Sequence, residues 1–170
     1  MDLKQWIRDV PNFPIEGVIF RDITPLLQDP KAFRYALDEL ERYCRTKEID
    51  VIVAIEARGY ILAAPLADRL GVGFVPARKP GKLPWDRIRE EYQLEYGMAA
   101  LEMHADAIKP GQKVLIVDDV IATGGTLSAT KRLVERLGGK VVGFACLVEL
   151  TFLNGRRTLE GYDFFSLIQY

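Results

Sequence analysis

One histidine and two cysteines are all that 170 residues offer of the side chains that most often bind soft metals or form nucleophile pairs. His104 alone cannot anchor a histidine cluster, and no spacing supports a paired Cys–His nucleophile; it reads as an exposed strand residue. Cys44 and Cys146 stand far apart on stretches that read as a helix and a strand. Buried free thiols in a reducing compartment are therefore expected, and a disulfide framework is not. An excess of one charge is lacking too. The 23 Lys and Arg against 24 Asp and Glu leave a net charge of −1, which gives no basic face for nucleic acid or a membrane surface. No apolar run is long enough to span a bilayer, and the opening MDLKQWIRDV reads as amphipathic, unlike a signal peptide. Repeats, low-complexity tracts and linkers are missing as well. These exclusions leave an ordinary globular chain, 49% hydrophobic and 28% charged, expected to fold as a single domain over residues 1–170 in the cytoplasm.

What is present is an alternation of strands and helices. Apolar runs at 49–55, 73–76, 114–117, 141–150 and 164–168 read as strands. Helical periodicity covers residues 30 to about 45, 59 to about 70, and 126–137, the last stopped by Gly138-Gly139. That alternation predicts a mostly parallel central sheet flanked by helices. Leu3, Trp6, Ile7 and Val10 share one helical face, which predicts a short helix over 2–10. Residues 11–30 hold four prolines among many apolar side chains, as expected of a long loop that folds over something. Residues 90–103 have hairpin character around Gly97, with Leu94, Tyr96, Leu101 and Met103 available to pack inward, and 154–160 suggest a short helical turn.

The chemistry concentrates in residues 114–126, VLIVDDVIATGGT. An apolar strand is expected to end at two adjacent carboxylates, Asp118 and Asp119, followed by a small loop and a helix start. Ligands of open α/β sheets sit beyond the carboxyl ends of the strands. Ala122, Thr123, Gly124, Gly125 and Thr126 can turn backbone N–H groups and two hydroxyls toward one anion at a helix N-terminus. Carboxylates beside a phosphate site make sense if one ligand carries both an anion and a vicinal diol, as a ribose 5-phosphate does. A P-loop is excluded because no Lys follows Gly125, and a dinucleotide fingerprint because its acid belongs well downstream.

Two other stretches look functional. At 56–59, Glu-Ala-Arg-Gly makes a second strand-to-helix turn that places Arg58 where a ligand could lie. Arg78, Lys79, Lys82, Arg87 and Arg89 crowd a segment broken by Pro80, Gly81 and Pro84, as in a mobile loop that closes over an anion. Either could instead be plain surface, and Phe20 within GVIFRDIT (17–24) could equally stack on a flat ligand or pack on the body.

The segments FPIEGVIFRDITPLL (13–27), EARG (56–59), ARKPGKLP (77–84), LEYG (94–97), VDDVIATGGT (117–126), LVEL (147–150) and FFSLIQY (164–170) resemble, in order, the adenine branch of the type I purine phosphoribosyltransferase family. That resemblance implies the type I phosphoribosyltransferase fold, with a small N-terminal hood (mainly 11–28) and a flexible catalytic loop (about 78–96). It implies transfer of the phosphoribosyl group of 5-phosphoribosyl 1-diphosphate to adenine, giving AMP and diphosphate, with Mg²⁺. Asp118 and Asp119 would hold the ribose hydroxyls and act in catalysis, and residues 122–126 would hold the 5′-phosphate. Glu56, Ala57 and Arg58, with Arg78, Lys79 and Lys82, would hold the diphosphate. Ile19, Phe20 and Arg21 would form the adenine wall, and Glu95 would move the purine proton. No side chain is assigned as a direct metal ligand. Arg78 would reach the neighbouring subunit's site, which implies a homodimer. A transferase for another purine, or a regulator that binds the sugar diphosphate or RNA, is the alternative reading.

Overall fold

In the computed structural model, which describes residues 1–94 and 97–170, the Asp2 carboxylate accepts the Lys4 N–H at 3.1 Å and starts a 3-10 turn, Leu3–Trp6. The helix expected over 2–10 stops there. Strand β1 (Arg8–Pro11) follows and pairs antiparallel with β2 (Ile19–Asp22). Pro11 explains the change, because a residue preceding proline is pushed out of the helical region. Cross-strand ion pairs, Arg21–Asp9 at 2.6 Å and Arg8–Asp22 at 3.4 Å, then favour the ribbon. The segment read as a loop thus carries a strand and a short helix, α1 (Thr24–Gln28). Asp29 caps α2 (Pro30–Cys44) by accepting from Lys31 N at 3.0 Å and Ala32 N at 2.8 Å. Two compact units result, Met1–Glu39 and Leu40–Tyr170, with the boundary inside α2.

In the second unit every residue of β3 (Val51–Ile55) is buried. α3 (Arg58–Leu70) ends at the left-handed Gly71, φ 68°, and β4 (Gly73–Ala77) follows. An antiparallel ribbon, β5 (Arg87–Gln93) with β6 (Met98–His104), comes next. Then come β7 (Lys113–Ile121), α4 (Gly125–Arg136), β8 (Lys140–Glu149) and β9 (Phe164–Gln169). The sheet runs β4-β3-β7-β8-β9 with all neighbours parallel, and α3 and α4 pack on it. This is the α/β architecture that the alternation predicts. A strand covered on both faces has no polar side to show, which is why β3 (VIVAI) and the VLIV start of β7 are apolar without a break.

Four details depart from the sequence reading. Arg87 and Arg89 lie on β5, so the basic segment is irregular only over 78–86, and Leu94 is exposed while Leu101 and Met103 are buried. β7 does not end at the carboxylates: it continues through Asp118 and Asp119 to Ile121. The reason lies in its two neighbours. The ladder to β3 stops at Ala54↔Val117, whereas the ladder to β8 goes on through Asp118↔Cys146 and Ile121↔Glu149. His104, expected to be exposed, is half-buried on β6.

Candidate active site

Where β3 stops pairing, the start of α3 closes over β7. A Cβ on Gly59 would sit 3.0 Å from Asp118 Oδ1 and 3.3 Å from the Val117 carbonyl, so only glycine lets the helix begin this close. Arg58, the first residue of α3, then donates from Nε to Asp119 Oδ2 at 2.5 Å. The Asp119 N–H in turn donates to Asp118 Oδ1 at 2.8 Å. Both carboxylates are buried and Arg58 is half exposed. Burial, and next the charge of Asp119, push the Asp118 carboxyl well above the usual carboxylate range, against the opposing pull of the Asp119 amide and Arg58. Cys146 lies opposite on β8, where burial raises its thiol and leaves it inert.

Beyond Ile121 the chain turns through Ala122, Thr123 and Gly124 into α4. Gly124 adopts φ 91° as the N-cap, a conformation that other residues resist. The first N–H groups of α4 have no intrahelical acceptor, and with Ala122 and Thr123 exposed they are available to an anion. A cavity of about 80 Å³ lies here, lined by residues that include Asp118, Ala122, Thr123, Gly124 and Thr126. It is well below the roughly 300–1,000 Å³ of whole-ligand pockets, so it suits one end of a ligand. Tyr92 of β5 backs the loop, its ring carbon 3.2 Å from where a Gly125 Cβ would stand.

On the other side of Arg58, the Glu56–Ala57 peptide is cis. Glu56 Oε1 accepts from Arg78 Nε at 3.1 Å and from Lys79 N at 2.8 Å. Burial raises the Glu56 carboxyl, but these two donors outweigh it and the carboxyl lies below its ordinary value. Lys79 and Lys82 are exposed. The basic segment is also held by Glu102, a buried acid that the sequence reading missed. It accepts from Gly81 N at 3.0 Å and pairs with Arg87 at 3.3 Å. An acid inside an otherwise apolar strand, AALEMH, was the available signal. Glu95, assigned to proton movement, lies outside the described residues.

Within the first unit, Ile19 is half exposed and Phe20 meets Phe13 edge-on at 5.2 Å. Arg21 is committed to Asp9. All three residues lie on β2.

A family model described as the phosphoribosyl transferase domain matches residues 26–165. The adenine phosphoribosyltransferase of Thermotoga neapolitana is 61% identical over 170 residues, covering 100% of both chains. The chain belongs to the adenine phosphoribosyltransferase family. The crystal structure of the Thermoanaerobacter pseudethanolicus member of that family superposes with a TM-score of 0.97 at 54% identity, over 99% of this chain and 98% of that one. The Saccharomyces cerevisiae adenine phosphoribosyltransferase, complexed with an imino-altritol bisphosphate and adenine, superposes with a TM-score of 0.91 at 41% identity, over 98% and 96%.

Proposed function

We propose that this chain transfers the 5-phosphoribosyl group from 5-phosphoribosyl 1-diphosphate to adenine, giving AMP and diphosphate. The observation that carries the reading is the junction at the end of β7, where a buried carboxylate pair adjoins a small cavity rimmed by helix-start amides. A sugar held there by its hydroxyls at Asp118 and Asp119, and by its 5′-phosphate at residues 122–126, has its anomeric carbon fixed between them. The C1–O bond to diphosphate breaks and a C1–N bond to adenine forms. Positive charge on the ribose is offset by the carboxylates. Negative charge growing on the diphosphate is met by Arg58, Lys79 and Lys82, with Glu56 and Ala57 forming the turn beneath. The purine proton leaves to Glu95. Arg58 reaches Asp119 directly, so diphosphate and ribose binding share one hydrogen-bonded unit.

Asp118 and Asp119 are hard oxygen donors, and among the described residues no three ligating side chains converge. Those residues fit an Mg²⁺ ion brought in on the diphosphate better than one held in a protein cage. When bound, the ion would neutralise the leaving diphosphate. Ile19, Phe20 and Arg21 contact adenine: Phe20 offers a ring face, and main-chain groups at 19 and 21 read the exocyclic amine and ring nitrogens. A 6-oxopurine reverses that donor–acceptor pattern and would leave buried groups unpaired. The protein works in the cytoplasm, in keeping with the free, buried thiols of Cys44 and Cys146. It works as a homodimer in which Arg78 serves the neighbouring site.

The test is direct. Protein, Mg²⁺ and phosphoribosyl diphosphate are mixed with adenine, hypoxanthine or xanthine, and diphosphate release is followed. Release is expected with adenine and about 10⁴-fold less with the oxopurines. Equal release with hypoxanthine would reassign the base, and no release with any base would end the reading.

A further inference from the structure

We infer that Thr158, in the turn after β8, is a positioning residue that sets the shape of the anion loop; this rests on residues 122–126 holding the 5′-phosphate. The segment from β8 to β9 is built against the back of that loop. Leu150 N donates to the Ile121 carbonyl at 3.1 Å, so the chain leaves β8 already bonded to the end of β7. Two 3-10 turns follow, Thr151–Leu153 and Gly155–Leu159. A Cβ on Gly155 would lie 2.5 Å from the Ala122 carbonyl, and a Cβ on Gly124 would lie 2.3 Å from Thr158 Oγ1 and 2.6 Å from the Gly155 carbonyl. Two glycines on opposite sides of one contact therefore let backbone meet backbone.

The Thr158 hydroxyl stands in that contact with two carbonyl acceptors in reach, Gly155 O at 2.8 Å and Gly124 O at 3.3 Å. The Gly124 carbonyl belongs to the same rigid peptide plane as the Gly125 N–H, so holding the oxygen aims the hydrogen. That N–H is one of the donors presented to the anion. The same oxygen accepts the Ser128 N–H at 2.9 Å, which ties the plane to the first turn of α4 as well. Without the hydroxyl, Gly124 keeps its helix bond but loses the restraint from behind, and a glycine has little else to fix its torsions.

The turn that carries Thr158 is itself clamped. Arg156 spans buried Glu149 with Nε to Oε2 at 2.8 Å and Nη2 to Oε1 at 3.0 Å, and its guanidinium lies 4.5 Å from the Phe164 ring centre. The Ser166 hydroxyl donates to Glu149 Oε1 at 2.6 Å. A bidentate arginine–carboxylate pair is geometrically specific as well as strong. The clamp on β8 and β9 thus fixes where Thr158 stands.

Three proteins test this: wild type, Thr158→Val, which keeps the shape and removes the hydroxyl, and Thr158→Ser, which keeps the hydroxyl. Dissociation constants for ribose 5-phosphate and for adenine are measured by calorimetry, with thermal midpoints alongside. Thr158→Val should weaken ribose 5-phosphate by roughly two- to threefold, the lower end of one hydrogen bond's contribution because the single hydroxyl proton is shared with the nearer Gly155 carbonyl, with adenine binding and the midpoint nearly unchanged. Thr158→Ser should restore wild-type affinity. Unchanged ribose 5-phosphate binding in Thr158→Val overturns the inference. So does an equal loss for both ligands, and so does a serine variant as weak as the valine one. A wild-type protein that does not bind ribose 5-phosphate removes the underlying assignment of the loop instead.

Discussion

At Asp118 the chain holds a carboxylate where its own stability does not want one. Burial and the neighbouring Asp119 raise its pKa, so the folded state binds its proton more tightly than the unfolded state does. The sign follows directly. The stability associated with this group is fully present below the ordinary aspartate range, near pH 4, and is lost as pH rises through the elevated folded value. Asp118→Asn removes the charge while its Oδ1 can still accept the Asp119 N–H. The variant is expected to melt higher than wild type at pH 7, by about 2–4 °C for each kcal/mol relieved in a chain of this size. The gap should close as pH approaches 4, while turnover falls sharply. A variant that melts lower at pH 7 would show that the charge is welcome in the unliganded site. The two acids were legible in the sequence because DD at the end of an apolar run has no packing reason to exist. The bond from Arg58 to Asp119 was not. It depends on Gly59 letting α3 approach to within contact of β7, a closeness that no spacing along the chain encodes. Thr158 was hidden for the same reason, since it meets Gly124 across 34 residues.

Among the elements, the β5–β6 ribbon is joined to α4, the helix that starts at the Gly124 turn. Arg132 donates to Glu90 at 3.2 Å and to the Glu91 carbonyl at 3.1 Å, and Arg136 donates to the Arg89 carbonyl at 2.6 Å and to Glu90 at 3.2 Å. Tyr92 adds a ring against Gly125. The strand that leads toward Glu95 is therefore anchored to the helix proposed to hold the phosphate. These arginines are partly exposed, so their ion pairs with Glu90 count for little, and the bonds to backbone carbonyls matter more. Replacing both by alanine should raise hydrogen exchange of the β5 amides by about tenfold, with a much smaller change in β3 and β7. Exchange unchanged in β5 would mean that buried Leu101 and Met103 hold the ribbon without help. Sequence periodicity revealed α4 and the hairpin separately. Their attachment runs through charged side chains that read, one by one, as solvated surface. The N-terminal helix went wrong for a complementary reason: Leu3, Trp6, Ile7 and Val10 fit a helical face, but Pro11 and the charge pairs with β2 carry more weight than four apolar positions.

For the whole molecule, the question is whether one chain makes a complete site. Arg78 is bonded to Glu56 of its own chain at 3.1 Å, so service to a neighbour requires that bond to be exchanged for one across the dimer. Burial works against the Glu56 charge, while Lys79 N would remain to it as a donor, so the exchange does not strand a bare carboxylate. Hybrid dimers decide the matter. Arg78→Ala and Asp119→Ala are each expected to be nearly inactive alone. In a dimer with one copy of each, the Arg78→Ala chain retains Asp119 and receives Arg78 from its partner, whereas the other site lacks both. Random pairing makes about half the dimers hybrids with one complete site each, so a co-expressed mixture should recover about a quarter of wild-type turnover in a closed two-fold assembly. If Arg78 acts only within its own chain, every site in every dimer lacks one group or the other. The mixture would then show no more than the sum of its inactive parts, and the arrangement across subunits would be wrong while the site on each chain stood.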